Sequence, residues 1–225
     1  MPINPLLYKK LSYDGARLHA HQPDRDLPAA RAGEARAQGR TLPQLLALAK
    51  SAAPPLTYAS GGNGSSQHLA GALLAHMAGV PLAHVAYKGG NPAQLDLMAG
   101  NVDMMITQPN SRDLVTTGKM RALAVSSEKR SSFYPELPTV DEAGVKGYQS
   151  VAWYGLVGPK GMPPDLVKKI ADEAVRAAAT EGAKTVVVQQ GGDMVASTPA
   201  AFAEFILAER KRYETIVREA GMTVE

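Results

Sequence analysis

The chain contains no cysteine, which excludes disulfides and thiolate metal sites and leaves the redox compartment open. No apolar run approaches the roughly 18 to 20 residues that span a bilayer, so a soluble protein is expected. The formal charge is only +3, and no dense basic run carries aromatic residues between its charges. Nucleic acid is therefore not an expected partner, while a small anionic ligand remains open. The first residues, MPINPLLYKKLSYD, lack the charged region, apolar region and cleavage site of a secretory signal in that order, so no export address is expected in the chain as given. What is present is 225 residues with a 45% apolar fraction, enough for one large domain or two small ones around a real core.

From Thr41 onward the pattern alternates helices with short strands. TLPQLLALAKSA reads as a helix capped by Thr41, with Pro43 in its first turn, and LTYAS follows as a strand. A helix is expected from about Ser65 to Met77 with Gly79 as its stop. LAHVAY reads as a strand, NPAQLDLMAG as a short helix with Asn91 at the cap and Pro92 at its first position, and VDMMIT as a strand. SRDLVTTGK reads as a helix, MRALAVSS as a strand, and VAWYGLVGP as a buried strand. Two long helices close the chain: PPDLVKKIADEAVRAAAT, with an apolar stripe at Leu166, Ile170, Val175 and Ala178, and a last one capped by Thr198. This order implies βαβ units and a mostly parallel sheet. Residues 15–39 differ: they are rich in Ala, Arg, His and Gln with no clean period, and read as loop or disorder.

The stretch SGGNGSSQH, Ser60 to His68, joins a strand to a helix. Glycines allow close approach of backbone to a ligand, serines can cap the helix, and the first helical N–H groups point outward with the positive dipole end behind them. That makes an anion seat for carboxylate or phosphate; a simple capped turn is the alternative. A phosphate-binding P-loop would need Lys before its Ser or Thr, but Gly64 precedes Ser65 and Ser66. A serine nucleophile at Ser65 or Ser66, with His68 on the same short turn, would lack an orienting carboxylate.

A second loop, Tyr87, Lys88, Gly89 and Gly90, repeats the strand-to-helix arrangement, and two helix N-termini from neighbouring parallel strands would converge at the sheet's carboxyl edge. Lys88 is either a counter-charge or a solvent-exposed side chain. Thr107 to Ser111, TQPNS, is a third such loop, with Thr107 and Gln108 as possible polar donors. His76 and His84 read as packing residues, since their spacing fits no metal motif. Trp153 and Tyr154 read either as core or as the wall of a cleft. No cofactor is implied.

In this order and spacing, YASGGNGSSQHLAGALLAHMAGV, VAYKGGNPAQLDLMAGNVDMMIT, GKMRALAVSSEKRSSFYPELPTVDEAGVKGY and WYGLVGPKGMPPDLVKKI resemble the tripartite tricarboxylate transporter substrate-binding family, the Bug receptors. The resemblance runs from Thr41 to Glu225 and returns at Ile3 to Asp14. It implies an α/β fold of the type II periplasmic binding protein kind, with two α/β domains and mostly parallel sheets. It implies a periplasmic, non-enzymatic receptor that captures a small carboxylate (a dicarboxylate, tricarboxylate, amino acid or aromatic acid) and delivers it to membrane permease subunits. The ligand-binding residues it implies are Ser60, Gly62, Asn63, Gly64, Ser65, Ser66, His68, Tyr87, Lys88, Gly89, Gly90, Thr107 and Gln108, with no catalytic residue and no metal.

Two departures qualify the resemblance. Family members begin with an export signal and roughly 70 further residues, so residues 1–39 and 151–225 are expected to form a partial first domain beside an intact second domain at 40–150. Residues 15–39 do not resemble the family, although both flanks do. One choice of codons for Ala16 to Asp26, read one nucleotide later, encodes RDFTPISLIA, a family-like segment, so a compensating pair of frameshifts is the expectation here. Uncovered apolar surface is then expected in the partial domain. A non-binding remnant is the main alternative function, and a serine-dependent α/β hydrolase the lesser one.

Overall fold

In the computed structural model, the described residues are 19–21, 24–26 and 28–30, by their backbone alone, with 40–108, 111–189 and 191–219. The segment at 1–14 that resembles the family, and the rest of 15–39, lie outside them. The chain divides into two compact units, one of Met1–Arg25 with Ala152–Glu225 and one of Asp26–Val151.

The second unit is built on a five-stranded sheet. Its strands are β3 (Pro28–Ala30), β4 (Leu56–Ser60), β5 (Leu82–Ala86), β6 (Met104–Ile106) and β7 (Ala122–Val125), in the order β5-β4-β6-β3-β7. β4 lies parallel to β5 and β6, and β3 runs antiparallel to β6 and β7. The expected mostly parallel α/β arrangement is what the chain forms. The loop reading of 15–39 is corrected at β3 and at β1 (His19–His21) and β2 (Asp24–Asp26). Strand pairing is satisfied by backbone groups, so two strong neighbours can recruit a segment whose composition carries no strand signal.

Among the described residues, four helices belong to this unit: α1 (Leu42–Ser51), α2 (Ser66–Ala78), α3 (Gly90–Met98) and α4 (Arg112–Thr116). Thr41 caps α1, accepting from the Gln44 N–H, and Gly79 ends α2 in the left-handed conformation at φ 60°. Successive strand residues face opposite sides of a sheet, which assigns the helices to layers. The Tyr58 ring packs against Gly71 of α2, whereas its neighbour Ala59 joins Ala93 and Leu97 of α3 in a buried cluster with Val102, Met105 and Met120. α2 and α3 therefore cover opposite faces, and their N-termini flank the carboxyl end of β4. The Asp103 carboxylate braces the other end, accepting from the Thr57 N–H at 2.8 Å and its hydroxyl at 2.7 Å.

The first unit holds β8 (Val151–Trp153, which begins at the boundary), β9 (Leu156–Gly158), α5 (Pro164–Ala178), α6 (Glu181–Gln189) and α7 (Pro199–Glu219). β1 pairs antiparallel with β9, and β2 and β8 form a second two-stranded sheet. VAWYGLVGP is thus two short strands rather than one buried strand, with Leu156 and Val157 exposed. Trp153 is half-buried, edge-on to Phe202 and Phe205 of α7 at 5.4 Å each, while Tyr154 is exposed. The stripe on α5 is present but uncovered, since Leu166, Ile170 and Val175 are all exposed.

Candidate functional site

Three loops leave the carboxyl ends of the adjacent strands β5, β4 and β6 in the second unit, and they are the three singled out in the sequence. The loop after β4 touches the loop after β5: the Gly89 N–H donates to the Gly61 carbonyl at 3.2 Å, and the Tyr87 N–H donates to that of Ser60 at 3.0 Å. Gly62 (φ 129°) and Gly89 (φ 112°) adopt backbone angles that L side chains rarely reach.

Within the first loop most donors are already engaged. The Gly61 N–H donates to Gln67 Oε1 at 2.7 Å, Gly62 to Ser60 Oγ at 3.1 Å, Gly64 to His68 Nδ1 at 3.1 Å, and Ser65 to the Gly62 carbonyl at 3.1 Å. Ser65 caps α2, accepting from the His68 N–H at 3.2 Å. The amides of Ser66 and Gln67 then have no partner among the described residues. α3 starts earlier than expected: Gly89, not Asn91, is its N-cap, no side chain caps it, and Pro92 falls inside the first turn. The Gly90 and Asn91 amides are likewise without a partner among the described residues. Neither helix carries an acidic residue in its first turn, so two positive dipole ends stand side by side without an internal counter-charge.

The third loop contributes hydroxyls. Gln94 Nε2 donates to Thr107 Oγ1 at 2.9 Å and to Ser111 Oγ at 2.6 Å, and both hydroxyl residues are buried. Asn63 and Lys88 are exposed and Gln108 half-buried. The Tyr87 hydroxyl is spent on Asp96 Oδ2 at 2.7 Å. Burial and this bond push Tyr87 up to about 12, and the Tyr87 and Asn101 bonds hold Asp96 below the usual carboxylate range.

His68 faces the loop's own backbone through Nδ1, and its ring stacks on His84 at 3.8 Å between centroids and 8° between planes. His84 packs as expected but also sits 2.6 Å from Ser60 Oγ through Nε2. His76, expected to pack, is exposed near the end of α2. Burial lowers both His68 and His84, the latter to about 4 with help from the neighbouring ring. Sequence reasoning reached Gln67 and Ser111 only as members of their loops, and missed Gln94 and the role of His84. Gln67 alone left a signal, a glutamine in a first helical turn where such side chains reach back to loop amides. Among the described residues no three His, Asp or Glu side chains gather as a metal would require.

Comparison with known proteins agrees with this architecture. The chain is 36% identical over 210 residues to a UPF0065 protein from the tcbD-tcbE intergenic region of Pseudomonas sp. strain P51, covering 88% of this chain and 62% of that protein. It is 32% identical to a UPF0065 protein of Agrobacterium vitis, covering 87% of this chain and 58% of that one. Thus it spans about three-fifths of the length of these curated relatives. Among solved structures it superposes on R. palustris Rpa4515 with adipate at a TM-score of 0.87 and 26% identity, covering 98% of this chain and 75% of that one. It matches the periplasmic binding protein BugD at 0.85 and 28%, covering 99% and 76%. The fold is that of the periplasmic binding proteins, and the family model for the tripartite tricarboxylate transporter family receptor matches residues 1–222, so the chain belongs to that family.

Proposed function

We propose that this chain is an extracytoplasmic, non-catalytic receptor in which the second unit holds a carboxylate of a small organic acid for delivery to a tripartite transporter. The observation that carries the reading is the pair of adjacent helix N-termini whose amides at Ser66, Gln67, Gly90 and Asn91 have no partner among the described residues, with no acid in either first turn. Such an end attracts an anion through its dipole and its open donors together. The buried hydroxyls of Thr107 and Ser111 add neutral donors on the β6 side. Kinship with Rpa4515, solved with adipate, supports a carboxylate over a phosphate, and kinship with BugD supports a periplasmic setting.

The geometry also weighs against a serine nucleophile. Ser65 Oγ is the α2 cap and His68 Nδ1 is filled by the Gly64 N–H, so neither can serve as half of a nucleophile and base pair. Ser60 does meet His84, but it is fully buried and its hydroxyl is shared with the backbone of Gly62.

Calorimetric titration of the chain with adipate, beside citrate, glutamate, benzoate and a chloride control, tests the proposal. Saturable heat with at least one carboxylate and none with chloride is expected; silence across the whole panel overturns it.

A further inference from the structure

Behind the anion loop lies a stacked pair of imidazoles, His68 buried and His84 half-buried, that the ligand reading leaves without a task. β4 and β5 pair in the register Tyr58 to His84, which sets Tyr58, Ser60 and His84 on the sheet face that α2 covers with His68. The rings of His68 and His84 lie face to face, 3.8 Å apart. Each reaches the loop by one nitrogen, His68 Nδ1 to the Gly64 amide and His84 Nε2 to Ser60 Oγ, which in turn accepts from the Gly62 amide.

Proton counting fixes what these contacts need. A backbone N–H can only donate, so His68 Nδ1 must be bare and its ring proton must sit on Nε2. A second proton on His68 would set two donors against each other at Gly64. His84 is less restricted, because Ser60 Oγ can accept from Nε2–H or donate to bare Nε2. A charge on either ring would lie against the face of the other.

We propose that His68 and His84 are a positioning pair for the anion loop: neutral and stacked, they hold Gly62 and Gly64 in the shape that presents the loop to a ligand, and a proton on His68 releases Gly64. The inference rests on the receptor reading only for its last step, from loop shape to ligand capture.

The groups facing the pair are few. From β4 comes Tyr58, 4.9 Å from His84 and 6.4 Å from His68, kept neutral by burial; from α2 and β5 come the two rings themselves. No carboxylate contributes to the shift of either ring, and burial lowers both. A proton on His68 Nδ1 breaks the Gly64 contact, whereas His84 Nε2 can keep Ser60 Oγ with or without its proton.

Nitrogen-15 NMR of the full chain tests this without a ligand. At about pH 7.5, well above the ordinary histidine range, His68 Nδ1 is expected to be bare and Nε2 protonated. On acidification the Gly62 and Gly64 amide signals are expected to move with the His68 midpoint, below the ordinary 6.5. A proton on Nδ1 at neutral pH, or a Gly64 amide indifferent to the titration, overturns the proposal.

His68→Asn supplies an acceptor that cannot be charged, so the Gly64 signal should keep its place and lose its pH dependence. His68→Ala should speed exchange of that amide by about tenfold, the loss of one ordinary hydrogen bond. Equal behaviour of the two variants overturns the proposal. With adipate as the probe, His68→Ala is expected to weaken binding by about tenfold and His68→Asn by less than about threefold. If no version binds adipate at all, the receptor reading loses its probe while the NMR results still decide the role of the pair.

Discussion

Gly71 sits where α2 comes closest to the sheet, and replacing it with alanine sets two known effects against each other. In an open helix interior, Gly→Ala stabilises by about 1 kcal/mol. Here an added Cβ would stand 2.2 Å from Tyr58 Cε2 and 2.4 Å from Cδ2, more than an ångström inside normal contact. The ring cannot swing aside cheaply, because Tyr58 is 3% exposed and its hydroxyl reaches the His68 carbonyl. Overpacking of this severity belongs at the top of the usual range, about 3 kcal/mol, and losing the hydroxyl contact adds up to about 1 kcal/mol. Gly71→Ala should therefore destabilise the protein by about 2–3 kcal/mol net. Urea unfolding followed by far-UV circular dichroism is the suitable assay, because the only tryptophan, Trp153, lies in the other unit. The decisive comparison is the same substitution in a Tyr58→Ala background, where the clash is gone and the sign should reverse to a gain of about 1 kcal/mol. Equal destabilisation in both backgrounds would refute the close-packing argument.

Three further outcomes follow from the same unit. Asn91→Asp puts a carboxylate in the uncapped first turn of α3; it should raise stability by about 0.5 kcal/mol while weakening adipate in calorimetry, and tighter binding would contradict the anion seat. His84 falls from 6.5 to about 4, so the unfolded chain takes its proton first and stability should rise with pH across that window and be lost as pH falls through it. Full conversion of the shift gives about 3 kcal/mol and partial exposure cuts it to about 1–2 kcal/mol; thermal melts of His84→Phe should show a flatter slope there. Asp103→Ala leaves the Thr57 N–H and hydroxyl without their acceptor, costing about 2–4 kcal/mol in urea unfolding, with Asp103→Asn milder.

Much of this architecture could be read from the chain because local chemistry and tertiary context agree. Thr41, Ser65 and Thr198 look like caps and accept from the amides of Gln44, His68 and Ala201. Gly79 looks like a stop and adopts the left-handed angle that stops require. Failures occur where context overrides the local signal. Asn91-Pro92 is a good opening for a helix, yet Gly89 at φ 112° lets the turn begin sooner. Pro28–Ala30 carries no strand pattern and is drawn into the sheet by β6 and β7. The α5 stripe has the right period, but period says only which side is apolar and nothing of what covers it.

The same distinction separates the legible part of the site from the hidden part. Two of the loops stood out by their glycines and the third by its polar run Thr107 to Ser111, each between a strand and a helix. The supports of those loops did not, since Gln94 finds Thr107 and Ser111 only when β6 lies beside β4, and His68 finds His84 only through the register of β4 on β5. A seat made of backbone donors is chemically generic, so its character must come from the side chains that hold it in shape.

The two units differ in how far their apolar side chains are covered. The second unit contains the five-stranded sheet, its two faces of helix and the four amides of the proposed seat, and of the exposed large apolar side chains among the described residues only Met77 and Leu95 belong to it. All the others, from Tyr154 to Leu207, lie in the first unit. Carboxylate capture as proposed needs only groups that the second unit positions by its own packing. Substitutions on the exposed faces of α5, α6 or α7 should therefore change solubility and stability well before they change the geometry of the seat, whereas a change as small as one methyl group at Gly71 acts on both at once.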